Sequence, residues 1–135
     1  MISIEKEVET LIKLVSNYQS EEALKQFYHE NFVAYENMVE VRFGLNLSLV
    51  RMQEEKNSMR KLYYLKALRY MCKENESMIH WVCELTDLEG KHWIAEEVNI
   101  ATWQNGKIIE EKYIYHMPKE ISKPSIDEFI WKPET

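Results

Sequence analysis

Ala101-Thr102-Trp103-Gln104-Asn105-Gly106-Lys107-Ile108-Ile109-Glu110-Glu111-Lys112-Tyr113 orders the rest of the chain. Asn and Gly both tolerate positive φ, so Asn105-Gly106 permits a tight hairpin. The flanks, Trp93 to Trp103 and Lys107 to His116, read as its strands. Asp87-Leu88-Glu89-Gly90 marks the hairpin before it. Leu62 to Cys72 and Met78 to Thr86 supply two more strands, giving an antiparallel meander.

The half before Lys61 has a different period. Ser3 can cap a helix that carries Ile4, Val8, Leu11, Ile12, Val15 and Tyr18 on one face. Ser20-Glu21-Glu22 opens a second, short helix through Leu24, Phe27 and Tyr28, broken by His29-Glu30-Asn31. Phe32 to Glu40 reads as a strand, and Gly44 precedes a third helical segment with Leu45, Leu49 and Met52 on one stripe. Helices first and a meander afterwards is an α+β order. Residues 1–117 read as the domain and 118–135 as a tail, in which Pro118, Pro124 and Pro133 prevent a long regular element. Ser125-Ile126-Asp127-Glu128 has capping-box spacing, which predicts one helical turn. Phe129, Ile130 and Trp131 are apolar enough to pack on the domain or on a partner copy.

The chain has 135 residues and a formal charge of −6. That balance disfavours nucleic acid and anionic membrane, both of which need neutralising Lys and Arg. No apolar run approaches the roughly 18 residues of a membrane span. Met1-Ile2-Ser3-Ile4-Glu5-Lys6-Glu7 lacks a secretion core, so a cytoplasmic location is expected. Cys72 and Cys83 flank a turn that would set Cys72 near Met78, so two free thiols are expected. No His and carboxylate set has metal-ligand spacing, and Gly44, Gly90 and Gly106 all read as turns rather than a phosphate cradle. Neither a metal nor a cofactor is expected.

These motifs resemble those of the SnoaL-like, ketosteroid-isomerase-like superfamily, also called nuclear-transport-factor-2-like. The likeness spans roughly Ile4 to His116. It is carried by the Asn105-Gly106 hairpin and by Phe27-Tyr28-His29-Glu30-Asn31-Phe32-Val33, which is similar to the family's helix-to-strand step. The resemblance implies helices packed on a strongly curved, mostly antiparallel sheet, a cone-shaped, cystatin-like α+β barrel with an internal pocket. It also implies a small-molecule ligand and a homodimer through the outer sheet face. By the same resemblance the isomerase's general base falls at Glu36, its protonated carboxyl at Asn99, and its oxyanion tyrosine at about Ile12. An isoleucine donates no hydrogen bond, and losing one such donor is worth about 3–4 kcal/mol, so steroid isomerisation is not expected.

Strand alternation decides which side chains share a face. With a two-residue loop Trp103 would oppose Ile108. With Gln104-Asn105-Gly106 as a bulged three-residue loop, Glu97 opposes Tyr113 and Asn99 opposes Glu111, and the family pattern favours this version. One face then carries Glu97, Asn99, Glu111, Tyr113 and Tyr115, with Glu36 joining by the resemblance. A four-residue turn at Asp87 to Gly90 adds His80, Val82 and Glu84. The other face collects Ile79, Trp81, Cys83, Leu85, Ile94, Val98, Ile100 and Ile114, apolar enough to form an interface. In the alternative reading that apolar set is the core beneath the helices and the acidic set faces water.

If the polar face lines the pocket, clustered carboxylates raise one another's pKa and can move protons near neutral pH. Glu36 is then the candidate base, with His80 replacing or orienting it, and Asn99 and Tyr113 hold a developing enolate. Glu84, Glu97, Glu111 and Tyr115 would bind the ligand. Three function classes follow: a cofactor-free isomerase, dehydratase or cyclase on a small apolar compound, a non-catalytic ligand pocket, or a protein-interaction module.

Overall fold

A computed structural model describes residues 3–133. Met1, Ile2, Glu134 and Thr135, the outermost residues of the two segments expected above, lie outside it. The described chain runs α1 (Glu5–Ser16), α2 (Ser20–Phe27), β1 (Tyr28–Glu36), β2 (Val39–Phe43), α3 (Leu45–Asn57), β3 (Met59–Lys73), β4 (Glu76–Asp87), β5 (His92–Gln104), β6 (Lys107–Tyr115) and β7 (Lys119–Ile121). The strands form one mixed, mostly antiparallel sheet in the order β2-β1-β6-β5-β4-β3, with β7 pairing β5. β1 and β6 are the parallel pair. No helix among the described residues is long and apolar enough to cross a membrane.

The helices form where the apolar period demanded. Ser3 Oγ accepts the Glu5 amide at 3.2 Å, and α1 turns Val8 and Leu11 into the core. Phe27 packs edge-on against Trp103 at 5.8 Å, and the Trp103 indole donates to Ser77 Oγ at 2.9 Å. Phe32, Ile79 and Ile108 close this core around them.

Two hairpins differ from expectation. The strand foreseen over 32–40 reverses at Asn37-Met38, both at positive φ (48° and 73°), which makes β2 a separate strand. Asn37 alone, without a following Gly, is a weak turn signal. Between β4 and β5 the last pair is Thr86 with His92, so the loop holds five residues, Asp87 to Lys91, rather than four. Asp87 explains the extra residue. Its carboxylate accepts the amides of Glu89 (2.9 Å) and Lys91 (3.0 Å) and the Trp93 indole N–H (2.9 Å).

That one residue turns β4 over relative to β5. Trp81 opposes Glu97 and Ile79 opposes Asn99, so Ile79, Trp81, Cys83 and Leu85 join the acidic face. His80 and Glu84 move to the other side, against the expectation that they line the pocket. The outer apolar face expected to carry a dimer therefore keeps only Ile94, Val98, Ile100 and Ile114.

The last hairpin has the two-residue turn, with Asn105 and Gly106 at φ 52° and 78° and Trp103 opposite Ile108. The bulge exists, but it lies at Thr102/Trp103 instead of in the turn. Asn99 therefore opposes Tyr113 and Glu97 opposes Tyr115, each displaced by two residues from the bulged-loop pairing. A shift of two leaves every side chain on its expected face.

After β6 the tail pairs with β5 through β7, then bridges Leu62 at Trp131, whose ring lies 5.7 Å from that of Tyr18. The helical turn expected at Ser125 does not form. Ser125 instead gives its amide, at 3.0 Å, and its hydroxyl to Glu84. Cys72 opposes Ser77, and both cysteines are free.

Candidate functional site

A cavity of about 470 Å³ is lined by residues of all three helices and of the sheet. Its apolar wall includes Leu11, Val15, Leu62, Leu65, Ile79 and Trp81. Its polar wall comes from neighbouring strands that alternate in phase: Glu36 on β1, Glu97 and Asn99 on β5, and Glu111, Tyr113 and Tyr115 on β6. Six of the eight expected site residues thus meet in one cavity. The lining is neither of the two faces foreseen, since β4 contributes apolar side chains and β5 and β6 contribute polar ones.

Glu111 is the buried centre of the polar wall, 1% exposed. The hydroxyls of Tyr28 and Tyr113 both donate to it. Burial raises its pKa, opposed by the bonds from Tyr113, Tyr28 and Asn99. Burial, with the Glu111 charge next, also pushes both tyrosines well above 10, so they stay protonated donors. Glu36 is bound by Arg42 at 2.9 Å and by the Tyr115 hydroxyl at 3.2 Å. The same guanidinium lies 5.5 Å from the Tyr113 ring centre, an attractive cation–π placement.

Glu97 differs from these. It enters no ion pair and no side-chain hydrogen bond among the described residues. Burial, and then the charges of Glu111, Glu55 and Glu36, raise its pKa to about 7. Cys83, on the same face, is pushed up to about 12 by burial and by Glu97, so it is no thiolate nucleophile at neutral pH.

The two residues outside the cavity have other partners. His80 Nε2 lies 3.0 Å from Glu96 on the opposite face. Glu84 is 2% exposed and takes hydrogen bonds from Tyr64 and Ser125. Both are displaced by the β4 reversal, so neither can serve the roles expected of it in the cavity. Sequence reasoning did not find Arg42, Tyr28 or Ser48. Arg42 reaches Glu36 only because the chain reverses at Asn37-Met38, and Tyr28 starts a strand where a helix end was expected. Among the described residues no three His, Cys, Asp or Glu side chains group to hold a metal ion.

No family profile matches the sequence, and no curated protein matches it. Solved structures do match. A candidate SnoaL-like polyketide cyclase from Mesorhizobium loti superposes with a TM-score of 0.74 at 17% identity, covering 83% of this chain and 98% of that one. An NTF2-like protein of unknown function from Burkholderia pseudomallei gives 0.72 at 7% identity, over 86% and 92% of the two chains. The fold is the SnoaL-like, NTF2-like one. A candidate isomerase from Rhodopseudomonas palustris gives 0.63 at 15% identity, over 85% and 90%. At such identities the likeness defines the SnoaL-like fold and leaves the chemistry to the side chains.

Proposed function

We propose that this protein binds a small, largely apolar molecule in the cavity, with the sheet curling round it, and moves a proton on it without a cofactor. The observation that carries this reading is Glu97, an unpartnered carboxylate facing the cavity with its pKa near neutrality. At pH 7 such a group is divided between its two forms, which suits a base that must also return the proton. The carboxylate of Glu97 takes a proton from carbon beside a carbonyl, and the electron pair moves onto the carbonyl oxygen. The donors for that oxygen are the Asn99 amide and the Tyr28 and Tyr113 hydroxyls, which without a ligand bond Glu111. The proton then returns from Glu97 to the substrate, so nothing is oxidised or reduced. The base is thus Glu97 in place of Glu36, whose carboxylate is committed to Arg42 and Tyr115.

The likeness to candidate cyclases and to a candidate isomerase agrees with proton transfer. Incubating the protein in D2O with a panel of enolisable apolar ketones, and following exchange by NMR, tests the reading. Exchange should rise through an inflection near pH 7 and fall about 10²–10⁴-fold in Glu97→Gln. Equal exchange in that variant would remove Glu97 as the base. Binding of a ketone without any exchange would favour the non-catalytic pocket.

A further inference from the structure

The charges lining the cavity do not cancel. Arg42 is taken by Glu36 at 2.9 Å and Arg51 by Glu55 at 3.4 Å, while Glu111 is held by two tyrosine hydroxyls. Glu97 is left without a partner among the described residues. Trp81 opposes it on β4 and Tyr115 opposes it on β6, and all three line the cavity. Residues directly opposite in neighbouring antiparallel strands have Cβ atoms about 4.5–5.5 Å apart. The Glu97 side chain therefore stands between those of two aromatic residues.

That row has the chemistry of an organic-cation site. Ring faces and a carboxylate both attract an ammonium, whereas indole and phenol rings offer a metal ion little. Ser48 of α3 also borders the cavity, with its hydroxyl buried and without a hydrogen-bond partner among the described residues.

We infer that the molecule bound here is apolar and carries a protonated nitrogen, seated at Glu97 between Trp81 and Tyr115. This rests on the reading of the cavity as the ligand site and adds the substrate class.

The test uses three probes with one apolar body, 4-phenylbutylammonium, 4-phenylbutanol and 4-phenylbutanoate, titrated calorimetrically into the full chain at pH 8. The ammonium should bind at least tenfold tighter than the alcohol, and the carboxylate weakest. Glu97→Gln should abolish the preference for the ammonium over the alcohol, and Trp81→Leu should reduce it. Urea midpoints of both variants check that they fold, and Trp81→Phe, which keeps a ring, should retain the preference. Equal affinity for ammonium and alcohol, tighter binding of the carboxylate, a preference that survives in Glu97→Gln, or no binding of any probe would each overturn the inference. Ketone exchange is measured on neutral compounds, so equal probe affinities would sink the cation and leave the proton-transfer reading standing.

Discussion

Glu97 carries a stability signature opposite to that of a salt-bridged carboxylate. Its pKa rises from an ordinary 4.5 to about 7 in the folded protein. Between those values the folded state holds a proton that the unfolded chain has released. Stability linked to this group is therefore complete below pH 4.5 and is lost as pH rises through 7. A shift of that size, discounted for the half-buried position, is on the order of 1–3 kcal/mol. The urea midpoint should fall from pH 5 to pH 8 by more in the wild type than in Glu97→Gln; parallel curves would show that the carboxylate is not perturbed. Glu84 works in the other direction. Burial alone would raise it, but the bonds from Ser125 and Tyr64 outweigh burial and hold its pKa down. Its contribution is present above the ordinary carboxylate range and is lost as pH falls through the lowered value.

The hairpins decide which faces meet. At Gly106 a Cβ would meet nothing within 4 Å, yet φ is +78°. Gly106→Ala should therefore cost about 1–2 kcal/mol through backbone conformation alone. Gly44 is tighter, because a Cβ at φ +93° would sit 3.0 Å from the Glu30 carbonyl oxygen. Gly44→Ala should lower the urea midpoint further than Gly106→Ala, and the reverse order would contradict the close approach of β1 to the start of α3. The Asp87 loop decides more of the cavity lining than either glycine. By gathering the amides of Glu89 and Lys91 it fixes the offset of β4 against β5, and so brings Trp81 instead of His80 beside Glu97.

Across the whole molecule, the tail is held to the sheet at three places: β7 on β5, Ser125 on Glu84, and Trp131 on Leu62 and Tyr18. Tyr18 and Leu62 also line the cavity, so the tail braces the wall that would receive the ligand's apolar body. Removing the Ser125 hydroxyl leaves a buried carboxylate short of a donor, which costs about 1–3 kcal/mol. Ser125→Ala should lower the thermal midpoint at pH 7 and lose most of that effect in acid, where Glu84 is protonated. An effect independent of pH would show that the serine acts through packing alone.

Much of this was legible in the residues themselves. Apolar spacing from Ile4 to Leu24 located two helices, Gly44 announced the third, and Asn105-Gly106 located the final turn, because each rests on local backbone chemistry. The shared face of Glu97, Asn99, Glu111, Tyr113 and Tyr115 also followed from alternation, and it survived a misplaced bulge because the displacement was an even number of residues. The facing of β4 did not follow. It depends on whether the loop at Asp87 holds four residues or five, and the answer comes from hydrogen bonds to Lys91 and Trp93 that exist only once the strands have paired. Alternation along one strand is a property of the chain, whereas the phase between two strands is a property of their packing. A single residue of offset exchanges every inward side chain for its outward neighbour.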